Sequence, residues 1–327
     1  MFPKICFLFL IIAHAACTNK SGRQLDLLTQ PPYDIITDSI NQKAGAALYY
    51  KRGVLLLQND QLDLAESDMK QAWNLKKEEE YALGVLAVIR KKNTDTALAF
   101  IRKAMQQIPE SIGLKLNLAK AYQQKGMPDE AITICNEVIS AYPNQLDALQ
   151  LKAELLTAQK KDTEALATLE TAYSYAPFDA ELAHTLAFAY AEAKNSKTLY
   201  LCDSLINVDR EGKHAEPYYF KGVYYTNVGN KKDALKFFDD AIQHDYNFLD
   251  AYMDKGTLLY DSKDYKGALK TFELAITVAP TFAEAYYWLG KTKAATGNNA
   301  EAKLNYQRAY GLDKTLAEAR EAAERIN

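Results

Sequence analysis

The chain has 327 residues, 39 basic and 42 acidic side chains and a net charge of −3, which excludes the cationic excess that a nucleic-acid binder needs. With 48% apolar residues it can bury a core, which argues against disorder, and 14 Gly and 9 Pro are too few for a loop-rich or all-β chain. Tyr is abundant, at 22 residues. Apolar runs after the N-terminus fall short of the ~18 residues of a membrane span.

Residues 1–16 (MFPKICFLFLIIAHAA) place one charge, Lys4, before an apolar stretch from Ile5 to Ala13, then small residues. This is the plan of a secretory signal peptide. Two cleavage readings stand. Ala15-Ala16-Cys17 resembles a bacterial lipobox, with His14 in place of the usual Leu, and cleavage there leaves Cys17 as a lipidated N-terminus. Ala13-His14-Ala15 fits an A-x-A site, which releases a soluble periplasmic chain. The lipidated reading is preferred, because a Cys stands where the apolar run ends and polar residues follow. Each buried CH₂ of an acyl chain contributes about 0.8 kcal/mol of membrane affinity. The resemblance implies an outer-membrane lipoprotein facing the periplasm, since Thr18 and not Asp follows the Cys. Removing residues 1–16 removes Lys4 and no acid, and shifts the charge from −3 to −4. Residues 17–33 then form the lipidated Cys and a tether. Residues 34–45, after Pro31-Pro32, form a short capping helix.

A period of 34 residues begins next. It relates Pro109, Pro143 and Pro177; Tyr218, Tyr252 and Tyr286; Gly222, Gly256 and Gly290; and Ala234, Ala268 and Ala302. A fixed period of this size means a repeat architecture. Within each unit, apolar residues recur at i, i+3, i+4 and i+7, which predicts two amphipathic helices. Residues Ala251–Asp261 and Tyr265–Val278 are the clearest pair. Gly256 and Ala268 leave no side chain to separate the two helices, and Tyr252 and Phe272 fill the space beside them. Gly229-Asn230 and Gly297-Asn298 mark turns between helices. Pro near the end of a unit cannot continue the second helix.

These residues resemble the tetratricopeptide repeat (TPR) family. Its pattern of an aromatic at position 4, a small residue at 8, Ala at 20, an aromatic at 24, Ala at 27 and Pro at 32 is met by Tyr252, Gly256, Ala268, Phe272, Ala275 and Pro280. The pattern also has Leu at 7 and Tyr at 11, and Leu118, Ala119, Tyr122, Ala131 and Pro143 match it in another unit. The resemblance implies an all-α, right-handed α-α superhelix of about eight helix-turn-helix repeats: 46–77, 78–111, 112–145, 146–179, 180–214, 215–248, 249–282 and 283–316. Residues 317–327 cap the last one. Two repeats depart from the pattern. Val85 stands where a small residue is expected, so that helix pair is expected to sit further apart. Repeat 180–214 lacks Ala at 20 and Pro at 32, and its second helix, Ser196–Asn207, fits a turn one residue short.

No catalytic constellation emerges, so the chain reads as a non-enzyme without metal or cofactor. His14, His184, His214 and His244 lack ligand spacing. Cys135 and Cys202 lie two repeats apart, and both read as small buried hydrophobes rather than a disulfide.

In TPR proteins the first helix of each repeat lines a concave face through positions 2, 5, 9 and 12. Carried over here, that face presents His184, Phe188, Tyr219, Val223, Met253, Thr257, Tyr260, Tyr287 and Lys291 as an aromatic trough. Lys120, Gln123, Gln150 and Glu154 form a more polar centre. Aromatic and Met side chains suit a protein interface. Position 2 is acidic at Glu79, Asp147, Glu181, Glu216, Asp250 and Glu284, read as carboxylates facing helix N-termini or, alternatively, as a rail for a basic peptide. No repeat pairs Lys at position 5 with Asn at 9, as the chaperone-tail clamp requires. The expected role is an envelope-anchored scaffold that holds a protein or extended peptide, as TPR lipoproteins do in assembling pili or secretion pores. A glycan-binding module using the groove tyrosines is the alternative.

Overall fold

The computed structural model describes residues 27–92, 95–209, 212 and 214–326. All regular structure among them is helical. The helices fall into two compact units divided between Leu155 and Leu156.

Unit 1 opens with α1 (Asp34–Gln42) and continues through α2 (Ala46–Gln58), α3 (Leu62–Leu75), α4 (Glu79–Lys92), α5 (Asp95–Met105), α6 (Ile112–Gln124) and α7 (Pro128–Ala141). Helix α8 (Leu146–Ala158) spans the division. Unit 2 holds α9 (Asp162–Tyr175), α10 (Ala180–Glu192), α11 (Lys197–Val208), α12 (Glu216–Asn227), α13 (Lys231–His244), α14 (Leu249–Asp261), α15 (Tyr265–Val278), α16 (Ala283–Ala295), α17 (Asn299–Leu312) and α18 (Ala317–Arg325). From α2 to α17 every expected repeat supplies its two helices.

The pairs are set by a missing side chain facing a large one. A Cβ on Gly256 of α14 would lie only 2.6 Å from Phe272 Cζ on α15, and one on Gly290 of α16 would lie 2.9 Å from Tyr306 Cδ1 on α17. Gly222 faces Phe238 and Gly53 faces Met69 in the same way. Where Val85 replaces the glycine, the opposing position carries Ile101, shorter than a ring, and both are fully buried in one cluster. In the irregular repeat, Thr198 of α11 donates its hydroxyl to Ala187 O of α10 at 2.8 Å. Thr198 is one residue closer to Ala187 than Ala268 is to Gly256, so the short turn expected there is present.

The turns share one backbone feature. Asp60, Gly126, Lys160, Lys194, Gly229, Lys263 and Gly297 all have positive φ, and all occupy the same place in their repeats. Glycine takes this conformation without strain, whereas a Cβ adds about 1 kcal/mol or more. Side-chain caps then start several second helices. Asp264 accepts from Gly267 N at 3.0 Å, and Asn298 accepts from Glu301 N at 3.3 Å.

Both ends are covered. Helix α1 buries Ile36 and Ile40, and its Thr37 accepts from Arg52, which forms a buried two-pronged pair with Asp68 at 2.7 and 2.9 Å. Leu28 and Tyr33 are also buried, in one cluster with Leu56, Met69 and Trp73. The tether expected over 17–33 therefore ends by residue 28, because these two apolar side chains have a core to enter. Residues 1–26, including the signal peptide and Cys17, lie outside the described residues. At the far end α18 buries Ala319 and Ala323 against Tyr286, Tyr306 and Ala309. Cys135 and Cys202 are both free and buried, and burial pushes each thiol up to about 11. No described helix is long and apolar enough to cross a membrane.

Two substitutions move stability in opposite directions. Gly256→Ala should destabilise by about 1–3 kcal/mol through overpacking against Phe272. Lys263→Gly should stabilise by about 0.5–1 kcal/mol through relief of its positive φ. Urea unfolding of the full chain reads both, and matching signs would disprove this account of the repeat.

Candidate functional site

In unit 2 the first helices stand side by side, α10 beside α12, α12 beside α14 and α14 beside α16. Residues at position 5 or 9 of one helix thus meet those of the next. The Phe188 ring of α10 stacks on the Tyr219 ring of α12, with centroids 6.5 Å apart and planes 14° apart. Phe188 is 39% exposed. Tyr219 also meets Phe248 edge-on at 5.0 Å. Further along, Tyr260 of α14 and Tyr287 of α16 both meet Trp288 edge-on, at 5.7 and 6.1 Å. The Lys291 ammonium stands over the Trp288 and Tyr260 rings, 4.0 and 5.2 Å from their centroids. Cations over aromatic faces are attracted by the ring quadrupole.

Two of the expected lining residues do not line anything. Val223 and Met253 are each only 6% exposed. They stand on α12 and α14 where two neighbouring first helices press together, so packing claims them. Thr257 is half-buried and turns its hydroxyl back to Asp254 O at 3.0 Å. His184 is half-buried and uses Nδ1 on Ala180 O at 2.8 Å. A carbonyl only accepts, so Nδ1 carries a proton, and Nε2 is the ring's other polar atom. That Nε2 is buried and has no partner, and the ring lies 5.8 Å from that of His214.

The four polar residues all lie in unit 1. Lys120 and Gln123 are exposed on α6 in unit 1. Gln150 is half-buried and Glu154 exposed on α8, and both belong to unit 1. The acidic position 2 has one clear structural use: Glu79 of α4 accepts from Gly113 N at the start of α6, at 3.2 Å. That contact places a carboxylate at the N-terminus of the next repeat's helix.

Two acidic residues escape the position rules. Asp254 lies at position 6 of its repeat and Glu192 at position 13. Asp254 accepts the Tyr219 hydroxyl at 2.8 Å, which ties α12 to α14. Burial raises the pKa of Asp254, the charges of Asp250, Glu192 and Glu284 raise it further, and the Tyr219 hydrogen bond works against them. Burial beside Asp254 likewise pushes the Tyr219 phenol upwards. No local sequence signal marks Asp254, because its role comes from α12 and α16 standing on either side of α14.

Models of the tetratricopeptide repeat match residues 88–155, 256–297 and 283–316. The mouse protein named tetratricopeptide repeat protein 14 is 28% identical over 113 residues, covering 32% of this chain and 15% of that one. This chain therefore corresponds to a small part of that relative. A tetratricopeptide repeat protein from Parabacteroides merdae superposes with a TM-score of 0.59 at 19% identity, covering 72% of this chain and 93% of its own. PilW, described as a widely conserved type IV pilus biogenesis factor, superposes with a TM-score of 0.52 at 15% identity, covering 64% and 97%. At these identities the likeness is one of fold. The helix pairs are those of a TPR solenoid, an architecture that serves protein–protein interaction.

Asp254 makes stability depend on pH. Its folded pKa is raised, so its ionised form costs stability above that pKa, and the cost disappears as pH falls. Asp254→Asn should therefore melt higher than wild type at pH 7, and the gain should fade as pH falls towards 3.8, the unperturbed value. Thermal melts of both proteins across this range check it.

Proposed function

We propose that this chain is a non-catalytic scaffold, anchored in a bacterial envelope through lipidated Cys17, that holds a protein or an extended peptide on its concave face. The observation that carries the reading is the exposed Phe188 ring stacked on Tyr219, on the face formed by successive first helices. A flat, partly exposed aromatic pair gives a partner a large area to desolvate at little side-chain entropy. The signal-peptide plan of residues 1–16 and the position of Cys17 support the anchor. The fold shared with a pilus biogenesis factor is compatible with work in envelope assembly.

A photo-crosslinking residue at Tyr260 should yield protein adducts in native membranes, and one at Tyr200, exposed on the second helix α11, should not. Recovery of polysaccharide at Tyr260 without any protein adduct would replace this reading by the glycan-binding one. The anchor has a separate check: radiolabelled palmitate should enter wild type and not Cys17→Ala. Absence of label from both would leave a soluble periplasmic chain.

A further inference from the structure

Helices α10, α12, α14 and α16 carry four lysines and no arginine. Three of the four are neutralised by a carboxylate on a second helix. Lys221 pairs with Asp203 of α11, Lys255 with Asp239 of α13, and Lys293 with Glu301 of α17 at 2.8 Å and Glu273 of α15 at 3.9 Å. The fourth, Lys291, has no carboxylate within ion-pair distance among the described residues. Aromatic rings hold it instead. Its ammonium lies 4.0 Å from the Trp288 centroid and 5.2 Å from that of Tyr260. Trp288 is itself fixed, because it stacks on the buried Phe272 ring with centroids 6.0 Å and planes 19° apart. Phe272 is the ring that fills the space facing Gly256. The core of one helix pair thus sets where this ammonium stands.

The neighbouring carboxylates leave its charge standing. Glu284, the one acid of α16, precedes Lys291 by seven residues. That is about 10 Å along the helix axis, where salt screens exposed charges. On α14, Asp254 accepts from Tyr219, and Asp261 lies beside Tyr260 without pairing to Lys291. Lys291, Tyr260, Tyr287 and Trp288 are all half-buried, so each keeps some open surface. A ring face attracts a cation but offers its N–H groups no strong acceptor. A lysine ammonium has three donors, and no described side chain or carbonyl accepts from this one. An acceptor of opposite charge from outside fits it on both counts.

We propose that the α14–α16 end of the face takes an acidic side chain, Asp or Glu, of an extended protein segment, paired with the Lys291 ammonium while apolar parts of the segment lie on Tyr260 and Tyr287. The proposal rests on the reading of the face as a protein-binding surface, and adds the charge of the partner at one named residue. Charge complementarity of this kind contributes selectivity and association rate.

Fluorescence anisotropy with the full chain tests it. The probe is a rhodamine-labelled peptide of three Gly-Leu-Glu units, and its control has Gln in place of each Glu. The Glu peptide should bind about fivefold more tightly than the Gln peptide, which is what an accessible ion pair supplies. That preference should shrink as salt rises. Lys291→Met keeps an apolar stem over Trp288 and should bring the Glu peptide down to the affinity of the Gln peptide. Lys291→Arg should keep the preference, since a guanidinium also stacks on a ring and pairs with a carboxylate. Thermal melts of each variant establish that the fold is retained.

Equal binding of the two peptides to wild type, no binding at millimolar concentration, or unchanged affinity for the Glu peptide in Lys291→Met would overturn the proposal. So would displacement of the peptide by micromolar oligogalacturonate, which would mark a site for an acidic glycan. If any of these occurs while the Tyr260 crosslinker still captures protein, the scaffold reading stands and the inference about Lys291 alone falls.

Discussion

In half of the eight helix pairs, the close approach of a glycine on one helix to a large side chain on the next sets how near the two helices lie. Gly256 against Phe272 and Gly290 against Tyr306 bring paired helices nearer than two ordinary side chains allow. The ring then fills the volume that the absent Cβ leaves, to the density of a protein interior. Gly53 with Met69 and Val85 with Ile101 are variants of the same exchange, in which a gain of volume on one helix is matched by a loss on the other. A hairpin built this way still has an apolar flank. Only the next hairpin, or a cap such as α18, can cover it, so stability is a sum over neighbours.

Stacking in one direction also creates the surface that has something to offer. It sets α10, α12, α14 and α16 side by side. Position 5 of one repeat then meets position 9 of the previous one, as Tyr219 meets Phe188. Tyr219 serves two purposes there. Its ring forms part of the aromatic face, and its hydroxyl ties α12 to Asp254 of α14. That bond goes to a carboxylate whose charge is disfavoured by burial and by the charges of Asp250, Glu192 and Glu284.

Much of the fold was legible because a 34-residue period states the same physical requirement eight times. Gly222, Gly256 and Gly290 mark close approaches, and Tyr218, Tyr252 and Tyr286 mark the filling beside them. Even the short turn before α11 could be read, since one residue is missing from the count. The turn conformation was only half legible. Gly126, Gly229 and Gly297 announce a positive φ, but Lys160, Lys194 and Lys263 adopt it with no such signal.

By itself, then, the amino-acid order determined the helix pairs, their number and which residues hold each pair together, because those contacts join positions close along the chain. Tertiary structure decided what remains at the surface. Position rules carried from the family placed Val223 and Met253 on the concave face, yet lateral packing of α12 and α14 buries them. The same rules passed over Asp254 and Glu192, whose electrostatic group assembles only when helices from different repeats stand together. Leu28 and Tyr33 likewise became core and not tether once the cluster holding Leu56, Met69 and Trp73 offered them a surface. A side chain's partners across repeats depend on how helices lie against each other, and local periodicity carries no record of that.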